Sequence, residues 1–140
     1  MKMLKKKFKR SIEELKSVFR FIDDFTQKHE IRKSVVQDVS LAVEEIFTNM
    51  VKYNPDGPSE VEMGLTIENN AIRIEMTDRE VDPFDITKAE VYDLNRSVED
   101  RPIGRLGIYF VKNVMDQLKY DHQNEQTVIT MIKNLGETNV

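Results

Sequence analysis

Residues 41–53 have the sequence LAVEEIFTNMVKY, the stretch around which we expect the rest of the chain to be arranged. Apolar residues recur at helical spacing in and just before it, which predicts an amphipathic helix; they are Val39, Ala42, Val43, Ile46, Met50 and Val51. Glu45 and Asn49 are four residues apart and therefore lie one turn apart on one helix face, beside the apolar stripe. An acid and an amide aligned at the edge of a core indicate a site for a metal ion and a proton. The alternative is an ordinary solvated helix surface.

The composition favours one globular domain that spans residues 1–140 and buries a hydrophobic core, since 39% of the residues are hydrophobic and 33% are charged. The net charge of −4 argues against general nucleic-acid binding. The absence of cysteine excludes thiol catalysis, Cys-ligated zinc and disulfides. No apolar run approaches the roughly 20 residues of a membrane span, and the start lacks the apolar region of a secretory signal. We therefore expect a cytoplasmic protein that contacts neither nucleic acid nor membrane directly.

The N-terminal segment is basic, with Lys2, Lys5, Lys6, Lys7, Lys9 and Arg10 close together. We interpret it as a solvated first strand that is anchored by Met3, Leu4 and Phe8. The alternative is a patch for an acidic partner or anionic lipid.

Two helices follow this segment. Ser11 and Glu14 form a capping-box pattern, and the apolar spacing behind them predicts a helix over about residues 11–29. The second helix is predicted over about residues 34–53, with Ser34 as a possible N-cap. The sequence NPDGP at residues 54–58 is typical of a turn and ends this helix.

The second half of the chain predicts strands. Apolar residues alternate with polar ones over residues 61–67 and 72–76, and Asn69-Asn70 between them predicts a hairpin with one buried face. A short helix ending near Asp116 precedes two further strands, one at residues 118–120 and one at 128–132. This order predicts an α+β fold, a two-layer α/β sandwich with helices packed on one face of a mainly antiparallel mixed sheet.

Residues 78–103 are polar and contain two prolines. They exceed a routine connection of about 2 to 6 residues, so we predict a lid or binding loop. At its end, Gly104 and Gly107 begin a helix, where backbone N–H groups can approach a phosphate; a plain turn is the alternative. Asp78 follows a predicted strand, where its carboxylate suits an exocyclic amine such as that of adenine, or makes a turn.

These signals occur in the order of the N box and the two glycine boxes of the GHKL (histidine kinase-like) ATPases, and the chain resembles the anti-sigma-factor serine kinases among them. VEEIFTNMVKYNPDG, which starts at Val43, is similar to their N box and exit turn. DPFD at residues 82–85 resembles the segment after their first glycine box. SVEDRPIGRLGIYFVKNVMDQLKY, residues 97–120, resembles their lid and second glycine box. The resemblance covers nearly the whole chain and implies the Bergerat-type sandwich.

The resemblance also implies roles for residues. Asn49 would offer its side-chain oxygen to a Mg²⁺ ion on the ATP phosphates. Glu45 would be the catalytic residue that accepts or orients the proton of an attacking serine hydroxyl. Asp78 would recognise adenine. The backbone of the second glycine box would cradle the phosphates as the lid closes; it comprises Gly104, Arg105, Leu106 and Gly107.

The partners that the resemblance implies are a STAS-domain antagonist, whose serine is phosphorylated, and a sigma factor; homodimers are also common in the family. Two family glycine positions differ here, because the chain has Glu80 and Arg105. Arg105 could pair with a phosphate or block the close approach that glycine permits. The sequence therefore leaves a second interpretation open, in which the chain is a non-enzymatic protein-binding module with a degenerate nucleotide site.

Overall fold

The computed structural model describes residues 1–53, 58–79 and 105–136. The elements in chain order are β1 (Leu4–Phe8), a 3₁₀ turn (Ile12–Glu14), α1 (Leu15–Lys28), α2 (Lys33–Tyr53), β2 (Val61–Glu68), β3 (Ala71–Asp78), α3 (Arg105–Val114), β4 (Gln117–Gln123) and β5 (Gln126–Asn134). Nearly all of the predicted lid lies outside the described residues, and so do Glu80 and Gly104.

Five strands form one sheet in the order β1-β2-β3-β5-β4. The four strand pairings in the described residues are all antiparallel, so this sheet is not mixed as the sequence suggested. The reason is that β2–β3 and β4–β5 are hairpins, and the two hairpins meet through antiparallel pairing of β3 with β5. The predicted Asn69-Asn70 connection is confirmed, because both residues have positive φ angles (51° and 57°), as tight hairpin turns require. The predicted α+β sandwich is confirmed as a class.

A single hydrophobic core joins the sheet to the helices. Inward-facing side chains such as Leu65, Ile74 and Met131 are fully buried against helix residues that include Ile22 and Phe47. Each large aliphatic side chain buried in this way contributes about 1.5–3 kcal/mol of transfer free energy. The core fixes α2 against the sheet and so determines which of its residues are buried.

The helix starts differ in detail from the sequence prediction. Ser11 Oγ accepts a hydrogen bond from the Glu13 N–H at 3.3 Å, but Glu14 Oε1 accepts from the Lys9 N–H at 3.0 Å rather than from Ser11. The prediction of Ser34 as an N-cap is wrong, because α2 begins at Lys33 and places Ser34 inside the helix.

Helix α1 ends without glycine. Its last turn is closed by hydrogen bonds from the Ile31 N–H to the Thr26 carbonyl (2.9 Å) and from the Glu30 N–H to the Gln27 carbonyl (3.1 Å). This is a Schellman motif, in which Glu30 takes the left-handed position with φ of 54°. The tight ending turns the chain directly into α2.

In the described ranges we find no helix that is both long enough and apolar enough to span a membrane.

Candidate functional site

Asn49 lies on the inner face of α2 and is only 4% exposed. Neither Nδ2 nor Oδ1 of its side chain makes a hydrogen bond within the part of the chain that the structure describes. A buried polar group without a partner costs about 1–3 kcal/mol, so folded proteins rarely keep one without a use. A carboxamide oxygen is a ligand that Mg²⁺ accepts, and Mg²⁺ is usually held by only one or two protein groups plus phosphates. Asn49 therefore fits the metal-binding role that the sequence predicts for it.

Glu45 lies one turn before Asn49 and is half-buried. Burial raises the pKa of Glu45 above its usual value of 4.5; the charge of Lys52 opposes this shift, and that of Glu44 adds to it. A carboxylate with a raised pKa accepts a proton more readily near neutral pH, which is the property of a general base. The chemistry of Glu45 therefore suits the proton-accepting role.

Helix α3 brings Gly107 against Glu45. The Glu45 carboxylate occupies the position that a Cβ atom on residue 107 would take, so any side chain at this position would displace it. Gly107 lies in the first turn of α3, where the positive end of the helix dipole favours a nearby negative charge. The missing side chain at Gly107 thus has a role that the sequence analysis did not anticipate.

Asp78 is the last residue of β3, and its carboxylate is bound by the Arg10 guanidinium. Arg10 Nη2 pairs with Asp78 Oδ1, and Nη1 lies 3.4 Å from Oδ2. Arg10 Nη1 also donates to the Met50 carbonyl at 2.9 Å. Because Met50 follows Asn49 in α2, Arg10 links the carboxylate predicted to bind the nucleobase to the helix predicted to bind the metal.

The prediction that Arg10 belongs to a solvated basic segment is wrong. Arg10 is 3% exposed and belongs to the interior, whereas Lys5, Lys6 and Lys7 of β1 are exposed as expected. No alternation in β1 could have indicated this, because Leu4 and Lys6 are exposed and Arg10 lies beyond the end of the strand.

The structure therefore groups part of the predicted site. Glu45 contacts Gly107, and Asp78 is joined through Arg10 to the residue next to Asn49.

The rest of the second glycine box is not described in this way. Gly104 lies outside the described residues, and nothing is described of the side chains of Arg105 and Leu106, whose backbone begins α3.

The described ranges contain no cluster of three or more His, Asp or Glu side chains that could hold a metal. The two histidines have structural contacts: the His29 ring lies 4.5 Å from the Phe25 ring, and His122 Nδ1 lies 2.8 Å from Thr127 Oγ1. Asn49, without a hydrogen-bonding partner among the described residues, remains the candidate ligand.

Residues 8–133 match the family described as the Histidine kinase-like ATPase domain. The chain belongs to this family. The resemblance seen in the sequence motifs is confirmed, since this histidine kinase-like ATPase domain is also similar to serine-protein kinase RsbW of Bacillus cereus (strain B4264), with 28% identity over 98 residues. That alignment covers 67% of this chain and 61% of the relative.

Solved structures share the fold of this histidine kinase-like ATPase domain. A structure of RsbU and RsbW domains from Mycobacterium tuberculosis matches with a TM-score of 0.68 at 13% identity, over 96% of this chain and 32% of that chain. The SiaB–SiaC complex of Pseudomonas aeruginosa contains a chain that matches with a TM-score of 0.66 at 8% identity, over 92% of this chain and 88% of that chain. At such low identities, these matches establish the fold alone.

Proposed function

We propose that the chain is an ATP-binding serine/threonine protein kinase of the anti-sigma-factor type, which phosphorylates a serine of a STAS-domain antagonist in a bacterial partner-switching pathway. The observation that carries the proposal is Asn49, whose buried carboxamide has no hydrogen-bonding partner within the described residues. Membership of the histidine kinase-like ATPase family and similarity to a serine-protein kinase support it.

The proposed mechanism assigns one task to each residue. Asn49 would hold Mg²⁺ through its side-chain oxygen, and the ion would supply positive charge to the ATP phosphates. Glu45, with its pKa raised by burial, would take the proton of the attacking serine hydroxyl. Asp78 would accept a hydrogen bond from the adenine amine. Gly107, with Gly104, Arg105 and Leu106 before it, would offer backbone N–H groups to the phosphates.

The proposal extends to a sigma factor as a second partner, to a homodimer and to the cytoplasm as the place of action. These follow from the resemblance and from the composition.

Phosphotransfer tests the proposal. Incubation with Mg-ATP and a STAS-domain antagonist from the same organism should yield phosphoserine on the antagonist. Glu45→Gln should abolish that product while nucleotide binding persists, and Glu44→Gln on the neighbouring position is the matched control. Binding without phosphotransfer in the wild type would contradict the kinase assignment.

A second candidate function is a non-enzymatic module that binds the same kind of partner. Glu80 and Arg105, at positions where the family has glycine, favour it. On this account Asn49→Ala leaves the complex with the antagonist unchanged, whereas a kinase that needs nucleotide to engage its substrate loses affinity.

A further inference from the structure

Arg10 is an unusual residue for the end of an edge strand, because its side chain is fully excluded from solvent. Long charged side chains are almost never fully buried unless they are paired. Arg10 comes two residues after β1 ends, and its guanidinium binds Asp78, the carboxylate predicted to contact the nucleobase. Its burial therefore requires an explanation in terms of what it binds.

The guanidinium joins three parts of the chain. Nη1 donates to the Met50 carbonyl at 2.9 Å, one of the last four carbonyls of α2, which have no N–H donor inside the helix. Nη2 lies 3.4 Å from Ser59 Oγ, just before β2. Both nitrogens contact the Asp78 carboxylate at the end of β3. Arg10 thus fixes the carboxylate relative to α2.

The pair is asymmetric in its exposure. The Asp78 side chain is 17% exposed, whereas that of Arg10 is 0% exposed. A ligand in the site can therefore reach the aspartate but not the arginine. A planar guanidinium that engages both oxygens holds the carboxylate plane in one orientation, which a lysine ammonium cannot do.

An ion pair with Arg10 is compatible with ligand recognition by Asp78. A carboxylate has about four acceptor positions, of which a bidentate guanidinium engages two. A carboxylate only accepts hydrogen bonds, so a base with an amine at the contact point is favoured over a base with a carbonyl oxygen there.

We propose that Arg10 is a specificity-determining positioning residue, which orients Asp78 so that the site selects a purine with a 6-amino group over one with a 6-oxo group. This inference rests on the proposed ATP-binding function. Arg10 does not touch the base and acts through Asp78. Without the guanidinium, the aspartate side chain can rotate and must be ordered by each ligand, so discrimination falls.

Calorimetric titration with Mg-ATP and Mg-ITP tests this role, because ITP carries a carbonyl oxygen in place of the adenine amine. For the wild type we expect ATP to bind roughly ten- to hundredfold more tightly than ITP, the value of one hydrogen bond to a charged group. In Arg10→Met the ratio of ATP affinity to ITP affinity should fall below about threefold. Arg73→Met is the matched control, since Arg73 on β3 also pairs with acids, Glu75 at 3.0 Å and Glu68 at 3.7 Å, and should leave the ratio unchanged.

Removing a buried charge can unfold the chain, so Arg10→Lys is measured in parallel. Lysine keeps the positive charge but lacks the two parallel N–H donors of the guanidinium. We therefore expect the ratio of ATP affinity to ITP affinity in Arg10→Lys also to fall below that of the wild type. A folded Arg10 variant that keeps the wild-type ratio overturns the inference, and so does a wild type that binds both nucleotides equally. A wild type that binds neither nucleotide contradicts the proposed function itself, and the two failures are therefore distinguishable.

Discussion

The carboxylate of Glu45 lies where a Cβ atom of residue 107 would be, so the Glu45 side chain keeps this position only because residue 107 is glycine. The sequence predicts that the backbone of Gly107 approaches a phosphate. In the structure the missing side chain of Gly107 also leaves space for the predicted catalytic carboxylate.

This contact predicts coupling between the two positions. Alanine is a better helix former than glycine by about 1 kcal/mol, so Gly107→Ala should stabilise the protein by roughly that amount when Glu45 is also alanine. In the wild-type background the new methyl group must displace the Glu45 carboxylate, and the gain should be lost, which gives a coupling free energy of roughly 0.5–3 kcal/mol. Urea denaturation of the wild type, both single variants and the double variant measures it. Equal effects of Gly107→Ala in both backgrounds would refute the contact.

The raised pKa of Glu45 predicts a pH-dependent effect of Glu45→Gln. Burial disfavours the ionised form of Glu45 in the folded state, so the folded protein loses stability as pH rises from the ordinary pKa of 4.5, which applies to the unfolded chain, through the higher folded pKa. Glutamine does not ionise, so Glu45→Gln lacks this loss of stability at higher pH. Glu45→Gln should therefore be more favourable, relative to wild type, at pH 7.5 than at pH 4, which is about the lower end of that range.

Denaturant unfolding at the two pH values measures this difference. Glu13→Gln, at an exposed position on the 3₁₀ turn, is the control for the effect of replacing a glutamate by glutamine without burial. If the difference between Glu45→Gln and wild type is the same at both pH values, the burial of this carboxylate is not what shifts its pKa.

Replacing Asn49 with an apolar residue should raise the stability of the protein and abolish nucleotide binding. Leucine has the same heavy-atom branching as asparagine, so Asn49→Leu replaces an unpartnered buried amide with an apolar group of similar shape. We expect the unfolding free energy without nucleotide to rise by about 1–3 kcal/mol, with nucleotide binding lost.

Thermal and urea unfolding check this increase. Thr26→Val is the contrasting control, because the buried Thr26 hydroxyl donates to the Ile22 carbonyl at 2.9 Å and its loss should cost about 0.5–1.5 kcal/mol. A loss of stability in Asn49→Leu similar to that in Thr26→Val would mean that the Asn49 amide is satisfied in the folded protein.

The fold could be predicted from periodicity because most buried positions are apolar. The period of α2 and the alternation of β2 and β3 follow directly from that pattern, and Asn69-Asn70 has the chemistry that its turn needs. Helix ends were less predictable, since they depend on individual backbone hydrogen bonds. Ser34 looks like an N-cap, yet the Arg32 carbonyl already accepts from the Val35 and Val36 N–H groups at 3.1 Å.

The site was predictable only where local spacing carries the signal. Glu45 and Asn49 on one helix face could be identified from their separation, and Asp78 from its place after a strand. The Arg10–Asp78 pair joins residues that are far apart in sequence, and the charge of Arg10 argued for exposure. The Glu45–Gly107 contact likewise depends on how α3 packs on α2, which no local pattern specifies.

The most direct test of the account is calorimetric titration of the wild type and Asn49→Ala with ATP, with Mg²⁺ present and with Mg²⁺ removed by chelation. The account predicts saturable binding to the wild type that depends on Mg²⁺, and none to a folded Asn49→Ala variant. No heat of binding to the wild type at millimolar Mg-ATP, or equal binding to both proteins, would contradict it.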